Sequence, residues 1–136
     1  MTRILLVGYD PQTEEFSAPD RPPGLTREKI EAGIKFGLEQ MRERGWEVGV
    51  CLIPFQDTPE TAGTLVERQL RSAAYDCVVI GGGVRIPSAY LVFEAIINAV
   101  HRAAPDASIA LNSGPEDSAD SAARGLTTRQ NRPELR

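Results

Sequence analysis

The chain is short of the residues that most often carry chemistry. It has one histidine, two cysteines, one tryptophan and two lysines, Lys29 and Lys35, among fifteen basic residues. Cys51 and Cys77 both fall inside apolar, strand-like runs, where a thiol behaves as a small buried hydrophobe rather than part of a disulfide framework or metal site. No metal is therefore expected. No run approaches the ~18 apolar residues of a membrane span. The apolar stretch Ile4–Gly8 is too short for a secretory signal, so a cytoplasmic protein with no membrane partner is expected. Fifteen basic residues against nineteen acidic ones give a net charge of −4, which offers nucleic acid no basic face. Internal repeats and low-complexity tracts are absent as well.

What is present is a regular alternation. At 136 residues, 41% hydrophobic and 25% charged, the chain has the size and composition of one soluble domain. Four apolar runs, read as strands over 3–8, 47–53, 75–80 and 107–111, are each followed by a helix-like segment. The first helix is predicted over 27–44. Thr26 is its cap and Gly45 its stop, and Ile30, Ile34, Leu38 and Met41 form its buried stripe. Gly33 and Gly37 within it imply close packing on the sheet. The second helix is capped by Thr58 with Pro59 at its first position. The third starts near Ser88 or Ala89 and ends before Pro105. The fourth starts at Pro115 and has only Ala119, Ala122 and Ala123 to bury, which makes it the weakest of the four. The domain is read as 1–126, with 127–136 as a polar tail.

Strands alternating with helices imply a parallel sheet covered on both faces. Right-handed crossovers with one reversal of winding predict the order 2-1-3-4. The expected fold is α/β, a small Rossmann-like (flavodoxin-like) three-layer sandwich. The fourth strand would then be an apolar edge, and such edges are normally paired or blunted. A homodimer, or the tail folded over that edge, is predicted. The connection 10–25 holds four prolines and the acids Glu14, Glu15 and Asp20. Its length suits either a lid over a site or a surface excursion.

In such a sheet the strand carboxyl ends share one edge, and ligands bind where the winding reverses, here between the first and third strands. The third strand empties into Gly81-Gly82-Gly83, a turn that lets backbone N–H groups approach a ligand. Tyr9 and Asp10 follow the first strand, Arg85 follows the glycines, and Asn112 and Ser113 follow the fourth strand. Together these predict a pocket for a small carboxylate or phosphate. Gly81, Gly82, Gly83, Arg85, Asn112, Ser113 and Tyr9 would bind it, and Asp10 is the one acid–base candidate. A tight unliganded turn for the glycines and a capping role for Asp10 are the competing readings. His101 lies ~13 residues down the third helix, ~20 Å from that edge at ~1.5 Å per residue, which removes it from any nucleophilic pair there.

Cofactor signatures are missing too. Ile86 stands where G-x-G-x-x-G needs its last glycine, and no P-loop occurs, so no cofactor is expected. Gly8-Tyr9-Asp10, Ile80-Gly81-Gly82 and Asn112-Ser113-Gly114-Pro115 resemble three motifs of the DJ-1/PfpI class. That resemblance would make Asp10 the acidic partner and Gly82 part of the oxyanion loop. It places Asn112 and Ser113 where the class has its cysteine nucleophile and the neighbouring histidine, so the hydrolase or glyoxalase chemistry would lack its nucleophile. The remaining alternative is a non-enzymatic structural or interaction protein.

Overall fold

The computed structural model describes residues 1–16 and 19–130. Four strands, β1 (Arg3–Tyr9), β2 (Glu47–Ile53), β3 (Cys77–Ile80) and β4 (Ser108–Leu111), form one sheet in the order β2-β1-β3-β4. Every pairing is parallel. β1 sits between β2 and β3, with Gly8 opposite Leu52 on one side and Val7 opposite Ile80 on the other. The helices are α1 (Arg27–Glu43), α2 (Pro59–Arg71), α3 (Tyr90–Ala103) and α4 (Ser118–Gln130). The small α/β three-layer sandwich is therefore as predicted. Among the described residues, no helix is long and apolar enough to cross a membrane.

The two-residue period of β1 divides the core. Leu5, Val7 and Tyr9 join Val66, Ile96 and Val100 from α2 and α3. Ile4 and Leu6 face the other way, toward Met41 of α1 and Ala119 and Ala122 of α4. β1 and β3 are almost wholly buried, as unbroken apolar runs require in a sheet covered on both faces.

Local signals account for most boundaries. Thr26 Oγ1 accepts from Lys29 N (3.2 Å), and Thr58 Oγ1 accepts from Thr61 N (3.1 Å). Gly45 closes α1 at φ +85°, a backbone angle that side-chain-bearing residues rarely adopt. β1 runs one residue further than expected, to Tyr9. β3 starts at Cys77 rather than Tyr75, because Asp76 turns its carboxylate to Arg3 N (2.9 Å) and Arg129 Nη1 (2.6 Å). α3 begins at Tyr90, after two 3-10 turns at Gly82–Arg85 and Pro87–Ala89.

The weakest expected helix is well seated, and its small residues are the reason. A Cβ at Gly125 would lie 2.8 Å from Cys77 Sγ, so α4 lies nearly in backbone contact with the sheet. α4 continues to Gln130, past the Thr127 at which the polar tail is read to begin; residues 131–136 of that tail lie outside the described residues. Gly33 and Gly37 do permit close packing, against the Pro115–Asp117 turn rather than against the sheet.

Candidate functional site

The carboxyl ends of β1, β3 and β4 meet at one rim, and the described parts of the 10–25 connection, 10–16 and 19–25, fold across it. Asp10 N bonds Ile53 O (2.8 Å), while Thr13 Oγ1 accepts from Phe55 N (3.0 Å). At the far end, Asp20 Oδ2 accepts from Ser88 N (2.9 Å). Both ends of the roof are thus clipped to other rim loops. Beneath it lie two compartments sharing Arg21, Leu25, Ile30, Gly82, Gly83 and Pro115 in their walls. The inner one holds about 80 Å³ and the outer one about 390 Å³.

Arg21 stands where the two compartments meet, and its side chain is only 2% exposed. Its Nη2 pairs with the Glu14 carboxylate, itself 4% exposed. Among the described residues, its Nε and Nη1 are buried without a partner, as is the neighbouring Asp20 Oδ1. Phe16 lies against the guanidinium, 5.3 Å from ring centroid to Cζ. Burial pulls the Arg21 pKa down from its usual value, and burial raises that of Tyr9, the nearby guanidinium opposing the rise. Gly83 lets this pair approach the backbone: an added Cβ would lie 3.1 Å from Glu14 Oε2 and 3.5 Å from Arg21 Nη1. The glycine turn is anchored by Gly81 N bonding Val7 O (2.8 Å).

The sequence-predicted residues divide between cavity wall and scaffold. Tyr9, Gly81, Gly82, Gly83 and Asn112 line the inner compartment, and Ser113 lines the outer one. Arg85 lines neither. Its Nε donates to Gly81 O (3.2 Å) and its Nη2 to Asn112 O, so it ties the β3 loop to the β4 loop. Asn112 is 3% exposed and donates from Nδ2 to Ser118 Oγ (3.1 Å). Asp10 also stands outside both walls, where its Oδ1 accepts from Gln12 N (3.0 Å) and shapes the turn. Ser113 directs its N–H to the Asp117 carboxylate (3.1 Å). Burial works to raise the Asp117 pKa, but the bonds from Ser113 and Gly114 hold it below the usual carboxylate value.

Arg21 and Glu14 are the residues that the sequence reading missed. The available signal was an over-long connection carrying acids and a base. Neither spacing nor composition revealed that it folds inward.

His101 occupies the last turn of α3, remote from the rim as expected. Cys51 and Cys77 are buried and free, and burial pushes their thiols up to about 11 and about 12 respectively. Asn112, at the nucleophile position of the DJ-1/PfpI resemblance, carries an amide occupied in bracing the loops. A larger concavity, about 560 Å³, lies between α2 and α3 on the outer helical layer. It is a groove edged by Glu60, Glu67 and Glu94 into which, among the described residues, no unpartnered buried polar group points. The rim site is the chemically distinctive one. Searches of the chain against protein-family models and against curated proteins found no match.

Proposed function

We propose that this protein binds a small ligand through an anionic group, carboxylate or phosphate, in the crevice between β1 and β3 under the 10–25 connection. One observation carries the reading: the Arg21 side chain is buried at the junction of two cavities, and among the described residues its Nε and Nη1 have no partner. A buried donor without an acceptor costs about 1–3 kcal/mol, more when charged, so an unoccupied pair of donors at a cavity wall favours an acceptor-bearing guest. The N–H groups of Gly82 and Gly83, which open the 3-10 turn, add donors beside the guanidinium. Arg85 and Asn112 contribute by holding that turn in place. Asp10, outside both compartments, shapes the turn that begins the roof, and the reading requires no catalytic step.

The test is a thermal-shift screen of small carboxylates and phosphates, followed by calorimetry. The paired variant Glu14→Gln/Arg21→Met removes both charges and leaves neither stranded. Binding that stabilises the native protein should weaken at least tenfold in the variant. Unchanged affinity would overturn the reading.

A second reading concerns assembly and does not compete with the first. Ile109 and Leu111 of β4 are 40% and 41% exposed. Ser108 N bonds Asp76 O, which turns the N–H and C=O of Ile109 away from β3 in the alternation of a parallel ladder. Arg124 Nη2 already occupies Leu111 O. An apolar edge only partly capped in this way suits a homodimer formed through β4.

A further inference from the structure

The inner compartment owes its existence to Gly8. Nothing lies within 4 Å of a Cβ built there, and its φ is outside the left-handed region. Neither crowding nor backbone conformation therefore demands glycine at this position, and a larger side chain would simply project into the space. Gly8 shares its sheet face with Leu6, and Leu52 stands opposite it on β2. The remaining walls include Leu25, Ile30 and Ile34, which close the space from the roof and from the start of α1. Those three are only half-buried, although Met41, further along the same α1 stripe, is fully buried. Half-covered aliphatic side chains around a void are what a missing apolar group leaves behind.

The polar end has its own constraint. Charged side chains on the two walls balance, Arg21 and Lys29 against Glu14 and Glu116. With Glu14 already on Arg21, a dianion would meet an unfavourable carboxylate without surplus positive charge. A monoanion suits two donors that, among the described residues, are buried and unpartnered, beside one satisfied ion pair.

Resting on the proposed anion site, we infer that the ligand is a short aliphatic monocarboxylic acid, its carboxylate on Arg21 Nε and Nη1 and its hydrocarbon in the Gly8 compartment. A space of about 80 Å³ takes a chain of a few carbon atoms and no more than a small ring.

The experiment is calorimetric titration of the full-length chain with acetate, butyrate, octanoate and inorganic phosphate, repeated on Gly8→Val and on the milder Gly8→Ala. Butyrate should bind about fifteen-fold more tightly than acetate, since each buried CH2 contributes about 0.8 kcal/mol. Octanoate should gain nothing further, and phosphate should bind more weakly than butyrate. Gly8→Val should erase the preference for butyrate over acetate, and Gly8→Ala should reduce it. If Gly8→Val fails to fold, Gly8→Ala carries the comparison. Equal binding of acetate, butyrate and phosphate that still depends on Arg21 would overturn this inference and leave the anion site standing. No binding by any of the four probes would overturn the inference, and the anion site itself falls only if the wider carboxylate and phosphate screen is also blank.

Discussion

An arginine side chain that is 2% exposed is unusual unless it is paired, and among the described residues Arg21 is only half paired. The partner on its Nη2, Glu14, is the reason the charge can be buried at all. Removing that partner should therefore be worse than removing both. Glu14→Gln is expected to destabilise the protein by about 3 kcal/mol, near the low end for breaking a buried ion pair from one side, because the adjoining cavity admits water. The double variant Glu14→Gln/Arg21→Met should recover most of that loss. Thermal or urea unfolding of the two variants checks the ordering, and equal losses would show that the stranded guanidinium carries no penalty of its own. The Arg85 guanidinium teaches the opposite lesson at the same scale: it spends its donors on Gly81 O and Asn112 O and serves as a brace.

Among the elements, α1 and the Pro115–Asp117 turn approach closely through Gly33 and Gly37. Gly37 in mid-helix reads from the sequence as a liability, since alanine there would gain about 1 kcal/mol of helix propensity. The contact reverses the sign. A Cβ at Gly37 would sit well inside van der Waals distance of the Pro115 backbone oxygen, and a backbone atom cannot rotate away as a side chain could. Gly37→Ala is expected to lower stability by about 1–2 kcal/mol net, overpacking outweighing propensity, and to lower Tm by several degrees. A Tm at or above the parent's would show that the turn yields. The same turn supplies Pro115 to both cavity walls, so the packing of α1 against it also positions the site.

For the whole molecule, the open question posed by the sheet is its β4 edge. Multi-angle light scattering should find a dimer, and Ile109→Lys should convert it to a monomer with unchanged secondary structure, because a charge beside the edge opposes strand pairing. A parent protein that is monomeric at all concentrations would remove the assembly reading while leaving the crevice untouched. The two readings stand on different parts of the fold: one on the strand ends at the rim, the other on the outermost strand.

The alternation of strands and helices, the caps at Thr26 and Thr58, the stop at Gly45 and the sheet order were all legible from the residues. Each depends on periodicity, on neighbours within a turn, or on the handedness that L-amino acids impose. The glycine turn was legible for the same reason, and so was the rim, because parallel strands must deliver their ends to one side. The division of labour at that rim was decided only by the tertiary structure. Arg85 and Asn112 are 27 residues apart, and nothing local says that their bond makes them scaffold rather than binding groups. Arg21 looks in the sequence like a solvated loop residue, and it becomes the centre of the crevice only because the 10–25 connection folds inward onto Gly83. Gly8 looks like an ordinary strand residue, and only the placement of α1 and the roof turns its missing side chain into a compartment. Local chemistry sets which elements form; burial and vacancy belong to pairs of distant residues and exist only once the chain has closed on itself.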